Sequence, residues 1–391
     1  MNGILLPVLV TLAIQALASC AVFTPPVLAP AASAEVGVDA AAVGVVTSSL
    51  YLASAVAALL SGGFIERLGP MRASQAALCL AAAGMSLMVA AHPGAVLAGA
   101  LLVGLGYGVV SPASSAILGP RTPEHLRAFV FSVKQTGVPV GGALAGGLLP
   151  LALALGGWRT GALAVAAACL LLALAVQPGR RATDAGRRRE APLWNLRVGE
   201  PLRLLWSRRA LRDLALASFA YSGMQMCLGS YLVVLLHDEA GASLTAAGGA
   251  LSVAMAGGFL GRLFWGLVAD RWARPRRVLG GLGLGMALAA VAAGQGAGVW
   301  PWGAVLLLSF AFGATAVGWN GVYISEVTRI APPGQAAGVV GASFALTYLG
   351  VFVLPLAVWV VVSLGGGYGA GFALVAALAL WRGLAFFGPE D

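Results

Sequence analysis

The chain has 391 residues, 60% of them hydrophobic and only 9% charged, against roughly a quarter charged in soluble domains, which excludes a water-soluble fold. Its formal charge of +9 comes from 23 basic against 14 acidic residues, and most of the arginines fall in short loops between apolar runs. That is the pattern of a polytopic membrane protein under the positive-inside rule, and it excludes a nucleic-acid partner.

Apolar runs of about 20 residues or more predict twelve transmembrane helices. They lie near 4–30, 41–65, 73–92, 95–118, 127–154, 157–177, 210–236, 244–269, 277–296, 299–326, 335–363 and 367–387. The first contains Leu17-Ala18-Ser19-Cys20, which imitates a lipoprotein cleavage box. No Lys or Arg precedes it and the apolar run continues past it, so it reads as a retained helix and not a removed signal.

Alternate loops separate by charge. One set holds Arg67 and Arg72, Arg121 and Arg127, a linker at 178–209, Arg271 to Arg277, Arg329 and Arg382; the other holds Glu35, Asp39, His92, Asp238 and Glu239, with Arg159 its one positive charge. Both termini are therefore expected in the cytoplasm. The Arg-rich linker reads as a solvated tether, polar and mobile at first and then amphipathic around Trp206. It divides the chain into six-helix bundles at 1–177 and 210–391.

Little in the sequence points to chemistry. The four cysteines lie in apolar segments without paired spacing, which predicts buried free thiols and no metal site. His92, His125 and His237 fall in loops or at helix ends, and no embedded nucleophile, base or carboxylate pair signals an enzyme or a cofactor. Pro25-Pro26, Pro139 and Pro355 are expected to interrupt their helices.

The two halves repeat. A shift of 204 positions superimposes Glu35 on Glu239, Gly37 on Gly241, Gly62 on Gly266, Arg67 on Arg271 and Arg72 on Arg276, with Glu66 meeting Asp270. The stretches Gly62-xxx-Glu66-Arg67-x-Gly69-xx-Arg72 and Gly266-xxx-Asp270-Arg271-xx-Arg274-x-Arg276 resemble both copies of the signature loop of the major facilitator superfamily. This resemblance implies an all-α fold of twelve helices in two pseudo-symmetric bundles, with a substrate site between them and alternating access as the mechanism. It also implies gating roles for Gly62, Glu66, Arg67, Arg72, Gly266, Asp270, Arg271 and Arg274. Glu326 and Arg329, at i and i+3, read as an ion pair belonging to the same gate.

A narrower likeness lies in Gly261-Arg262-Leu263-Phe264-Trp265-Gly266, which is similar to the eighth helix of the oxalate/formate antiporters and monocarboxylate porters. There an arginine following a glycine contacts the substrate carboxylate, so the likeness makes Arg262 the anion ligand. The chain's single lysine, Lys134, lies about 10 Å from the Arg-rich end of the fifth span at 1.5 Å per residue, and Arg262 is about as deep. In the superfamily fold the fifth and eighth helices are neighbours, which implies that the two cations face one cavity. Neither charge recurs at the repeat offset, so neither is required by the scaffold. The bland alternative is that both side chains snorkel to the interface.

No acidic residue lies near a midplane, although proton-coupled efflux of cationic drugs ordinarily needs one. The expected substrate is thus a small organic anion, moved with protons or against a counter-anion; drug or metabolite efflux by proton antiport is the alternative. Gln135, Tyr221, Gln225, Trp319 and Asn320 are expected to orient the substrate, with Gln15, Thr136 and Tyr323 as further polar candidates. The Ala- and Arg-rich composition points to a bacterial source, hence to the inner membrane, with the bilayer as the only other partner of an expected monomer.

Overall fold

The computed structural model describes residues 2–37, 43–188, 190, 199–296 and 298–388, and the regular elements among them are all helices. Asp39 and the linker stretch 191–198 lie outside the described residues. In chain order the α-helices are α1 (Asn2–Val36), α2 (Val43–Leu68), α3 (Pro70–Met88), α4 (Pro93–Leu118), α5 (Arg127–Gln135), α6 (Gly137–Ala175), α7 (Arg180–Thr183), α8 (Gly199–Ser207), α9 (Arg209–Asp238), α10 (Leu244–Arg271), α11 (Pro275–Gly296), α12 (Trp302–Ala316), α13 (Asn320–Ile330), α14 (Ala336–Ser363) and α15 (Gly367–Leu384).

Ten helical stretches among the described residues are both long and apolar enough to cross a membrane. The remaining predicted spans are present in altered form. The 19 residues of α3 rise about 28 Å, close to the hydrocarbon thickness. The fifth and sixth spans run through α5 and α6, which reverses at Gly156 (φ −165°, ψ 22°) and Gly157 (φ 77°, ψ −180°). Only glycine takes the second of those conformations without strain. Large apolar side chains stand outward, among them Leu155, Leu174 and Leu307, each more than 70% exposed. In water such a surface would be unstable, and in lipid it is the required one.

Two expectations about helix continuity need correction. The helices run on through Pro25-Pro26 in α1, Pro112 in α4 and Pro355 in α14. Pro139 sits in the first turns of α6. The predicted tenth span, by contrast, is broken at 317–319 between α12 and α13, a break carried by Gly318 and no proline.

The chain forms two compact units. The first comprises Met1–Thr122, Lys134–Leu204 and Ala331–Ala345; the second comprises Pro123–Val133, Leu205–Ile330 and Leu346–Asp391. In the first, α3 and α4 meet where Gly84 faces Gly99, so closely that a Cβ on either would sit 2.5 Å from the other's carbonyl oxygen. Small residues at helix contacts replace the hydrophobic driving force that lipid removes. In the second, the largest fully buried side chains are Arg262 and the aromatic residues Trp319, Tyr221, Tyr323, Phe131, Phe312 and Phe372. An ion cluster holds its Arg-rich end, with buried Asp213 taking a 2.7 Å bond from Arg382 and lying 3.9 Å from Arg276. At the opposite end of the first unit Arg159 pairs with Glu35 and donates to the Val89 carbonyl at 3.2 Å.

The start of the linker is not a free tether. After α7 the Asp184 carboxylate accepts from the backbone N–H groups of Met71 (2.8 Å) and Arg72 (3.2 Å), and the Arg188 N–H donates to the Glu66 carbonyl at 2.8 Å. Gly69 makes room for this at φ 93°, where a Cβ would lie 2.5 Å from that of Asp184. Of the cysteines, Cys20, Cys169 and Cys227 are buried as expected, whereas Cys79 lies on the exposed face of α3.

Candidate functional site

In the first unit the polar centre is built around Lys134, in the last turn of α5 and fully buried. Its Nζ donates to Gln15 Oε1 (2.7 Å) from α1, to Gln135 Oε1 (2.9 Å) and, at 3.4 Å, to Ser111 Oγ from α4. Gln15 in turn donates to Ser19 Oγ at 3.2 Å. The amide oxygens orient the ammonium group, and their own carbons are too far into the helix packing to swing away: Gln15 and Gln135 are each 2% exposed. Ser111 carried no sequence signal, because a serine on an apolar helix ordinarily bonds back to its own turn.

In the second unit the corresponding centre forms at the break in the tenth span. Where the helix ends at Ala316 its last carbonyls lose their intrahelical donors, and two side chains of α10 supply replacements. Arg262 Nε donates to Val317 O at 3.0 Å, and Trp265 Nε1 to Ala314 O at 2.9 Å. Arg262 is 1% exposed, its side chain enclosed by protein. Beyond the break, Trp319 packs edge-on to Tyr221 (5.7 Å between centroids) and tilted against Tyr323 (5.2 Å). Among the described residues its buried indole N–H has no hydrogen-bond partner. Asn320 Nδ2 donates to Gln225 Oε1 at 3.1 Å, the two amides paired across α13 and α9. Tyr221 donates its hydroxyl to Leu279 O at 2.9 Å, which ties this aromatic group to α11.

Of the seven expected binding residues, the structure thus gathers Arg262, Tyr221, Gln225, Trp319 and Asn320 in one unit and Lys134 with Gln135 in the other. The helix break that orients Arg262 was not visible in the sequence, where a lone glycine beside Trp319 has many other uses.

The residues expected at the gate lie at the Arg-rich ends. In the second unit Asp270 accepts from the backbone N–H groups of Ala128 (2.9 Å) and Phe129 (2.7 Å) at the start of α5, a carboxylate on a helix N-terminus. Ser132, one turn further, lies against two glycines. A Cβ on Gly266 would sit 2.6 Å from Ser132 Oγ, and one on Gly321 would sit 2.5 Å from the Ser132 backbone nitrogen. Glu326 is chelated by Arg329 through bonds of 2.8 and 2.7 Å. Arg271 and Arg274 line the same cavity as this pair. In the first unit a Cβ on Gly62 would sit 2.9 Å from Gly338 Cα, Glu66 accepts from Arg188 through its carbonyl, and Arg72 contributes its N–H to Asp184.

Both carboxylate caps have measurable consequences. Asp184→Ala and Asp270→Ala are each expected to lower stability by about 0.5–2 kcal/mol, the usual loss when an N-terminal acceptor is removed. Thermal unfolding in detergent reads this as a fall of a few degrees in Tm.

Comparison with known proteins agrees with this architecture. The family model of the Major Facilitator Superfamily matches residues 11–355. Comparison with curated protein sequences finds no match. Among solved structures, the FucP transporter in its outward conformation superposes with a TM-score of 0.79 at 18% identity, covering 98% of both chains. The human organic anion transporter MFSD10 gives 0.75 at 21% identity, covering 97% of this chain and 99% of the other. The proton:xylose symporter XylE gives 0.73 at 16% identity, over 97% and 95%. Identities this low establish a shared fold and nothing finer. A family match over most of the chain, on twelve membrane-spanning helices with paired signature loops, makes this protein a transporter of the Major Facilitator Superfamily.

Proposed function

We propose that this protein is a secondary transporter of the bacterial inner membrane that carries a small organic anion of the carboxylate class. Both termini face the cytoplasm, and the moving bodies are the six-helix bundles 1–177 and 210–391 joined by the linker 178–209. Lys134 and Arg262 are the ligands of the anion, Arg262 in the manner of the oxalate/formate and monocarboxylate group, and Gln135, Gln225, Trp319, Asn320 and Tyr221 shape the pocket around it. Charge is balanced by a co-transported proton, the coupling that the name of the xylose neighbour records for that protein, or by exchange against a second anion.

The observation that carries this reading is the near-complete burial of two cationic side chains, one among neutral amide and hydroxyl oxygens and the other at a broken helix. Each such charge costs about 2.5–3.5 kcal/mol on insertion scales. Neither recurs at the repeat offset, so symmetry of the scaffold does not call for it. Each also bonds within its own unit, which is what a purely structural role would require, so the ligand has to be tested directly.

The test is a thermal-unfolding panel of mono- and dicarboxylates, amines and sugars on the purified protein, followed by uptake of any hit into proteoliposomes. A ligand at about 100 times its Kd adds about 2.7 kcal/mol. Saturable stabilisation by carboxylates, with flux that responds to a pH step or to internal anion, is the expected result. Stabilisation by amines or neutral drugs alone would replace the anion reading with efflux.

A further inference from the structure

The second unit holds a cavity of about 820 Å³ at its Arg-rich end, away from Arg262 and the aromatic group around Trp319. Its walls come from the start of α5, the loop joining α10 to α11, and the end of α13. Five arginines line it, at 127, 271, 274, 276 and 329, against three carboxylates. Two of the three are already engaged: Asp270 by the N–H groups of Ala128 and Phe129, and Glu326 by Arg329. Glu124 is left at the exposed rim.

Among the described residues, two guanidinium N–H donors in this wall have no acceptor. The Nε of Arg276 is buried without a hydrogen-bond partner, although the residue is only 5% exposed, and so is the Nε of Arg127. Buried donors of this kind ordinarily find a partner, and a guanidinium left short of one is an expensive omission. The backbone adds to the demand. Counting from their first prolines, Arg276 and Arg277 in α11 correspond to Met71 and Arg72 in α3, whose N–H groups are taken by the Asp184 carboxylate. Among the described residues no carboxylate takes that place on α11.

We propose that this cavity is a second anion site, selective for a phosphate group, in which Arg276 and Arg127 supply forked donors and Arg271 adds charge at the mouth. Planar guanidinium groups match the oxygens of a phosphate two at a time. The volume falls within the range of ligand pockets and exceeds what a bare oxyanion fills, so the phosphate is borne on a lipid headgroup or enters free with room for water. An anion held there joins α5, α11 and α13, and thereby strengthens the packing of α5 on Gly266 and Gly321. That regulatory consequence rests on the proposed transport cycle; the binding does not.

The test uses the full-length protein in nanodiscs and follows Tm with sodium phosphate, against sodium chloride at matched ionic strength, and with phosphatidylglycerol replacing phosphatidylcholine. Saturable stabilisation by phosphate, by phosphatidylglycerol or by both is the expected result, and which probe acts separates the free anion from the lipid. Arg276→Gln and Arg127→Gln should weaken the response at least tenfold. Arg276 also neighbours Asp213, so Arg271→Gln, on the exposed side, provides a variant whose folding is not in question and which should weaken it by a smaller factor. Lys134→Met should leave the response intact, which distinguishes this site from the transport site. No stabilisation by either probe, or equal stabilisation of the parent and the arginine variants, would overturn the proposal.

Discussion

Lys134→Met and Arg262→Met should each abolish saturable uptake of the carboxylate identified by the ligand panel, with ligand affinity lowered about 30-fold to several thousandfold. The range follows from the 2–5 kcal/mol lost when one member of a buried, hydrogen-bonded charge pair is truncated, at 1.4 kcal/mol per factor of ten. Methionine retains most of the volume, so the change isolates the charge and its donors. The two variants should differ in stability. Lys134→Met leaves the oxygens of Gln15 and Gln135 without this donor but also removes a buried charge, and these effects oppose each other. Arg262→Met leaves Val317 O unsatisfied at the helix break, a loss of about 1–3 kcal/mol. Arg262→Lys provides the control, because a point charge does not reproduce a planar guanidinium that donates to the Val317 carbonyl through its Nε. Binding measured by titration and melting measured without ligand separate the two roles. Unchanged affinity in both methionine variants would make the cations architectural.

The second large effect is expected at the glycines against α5. In Gly266→Val and Gly321→Val the new side chains meet Ser132, in the second case at its backbone, so relief requires movement of a helix and not of a side chain. Overpacking of this kind costs about 1–3 kcal/mol. In a two-state transporter that strain falls only on the state in which α5 is packed against α10 and α13. The population of that state should drop about 5- to 150-fold, transport should fall to background, and the protein should remain folded. A cysteine placed at Ser132, buried in the parent, should become reactive to an impermeant thiol reagent added from the cytoplasmic face. If both variants transport normally, this packing is not part of the cycle.

The sequence by itself was enough to establish the membrane class, the positions of most spans and the repeat. Each of those depends on hydropathy and charge summed over many residues, and lipid enforces both uniformly along a helix. It also reached the ion pair of Glu326 with Arg329, because three residues on a helix bring two side chains together without outside help.

What each polar group touches was decided only by the tertiary structure. Gln15 and Lys134 are 119 positions apart, Asp270 and Phe129 are 141, and nothing local in either segment names its partner. The break at 317–319 is of the same kind. No proline announces it, and it persists because Arg262 and Trp265, on another helix, accept the burden of its free carbonyls. The linker went the same way. Its composition describes a chain that water would solvate, yet Asp184 caps α3 by accepting from two backbone N–H groups there. In a medium without water every backbone group must find a partner inside the protein, and the partner is chosen by packing in three dimensions, which hydropathy along one dimension does not contain.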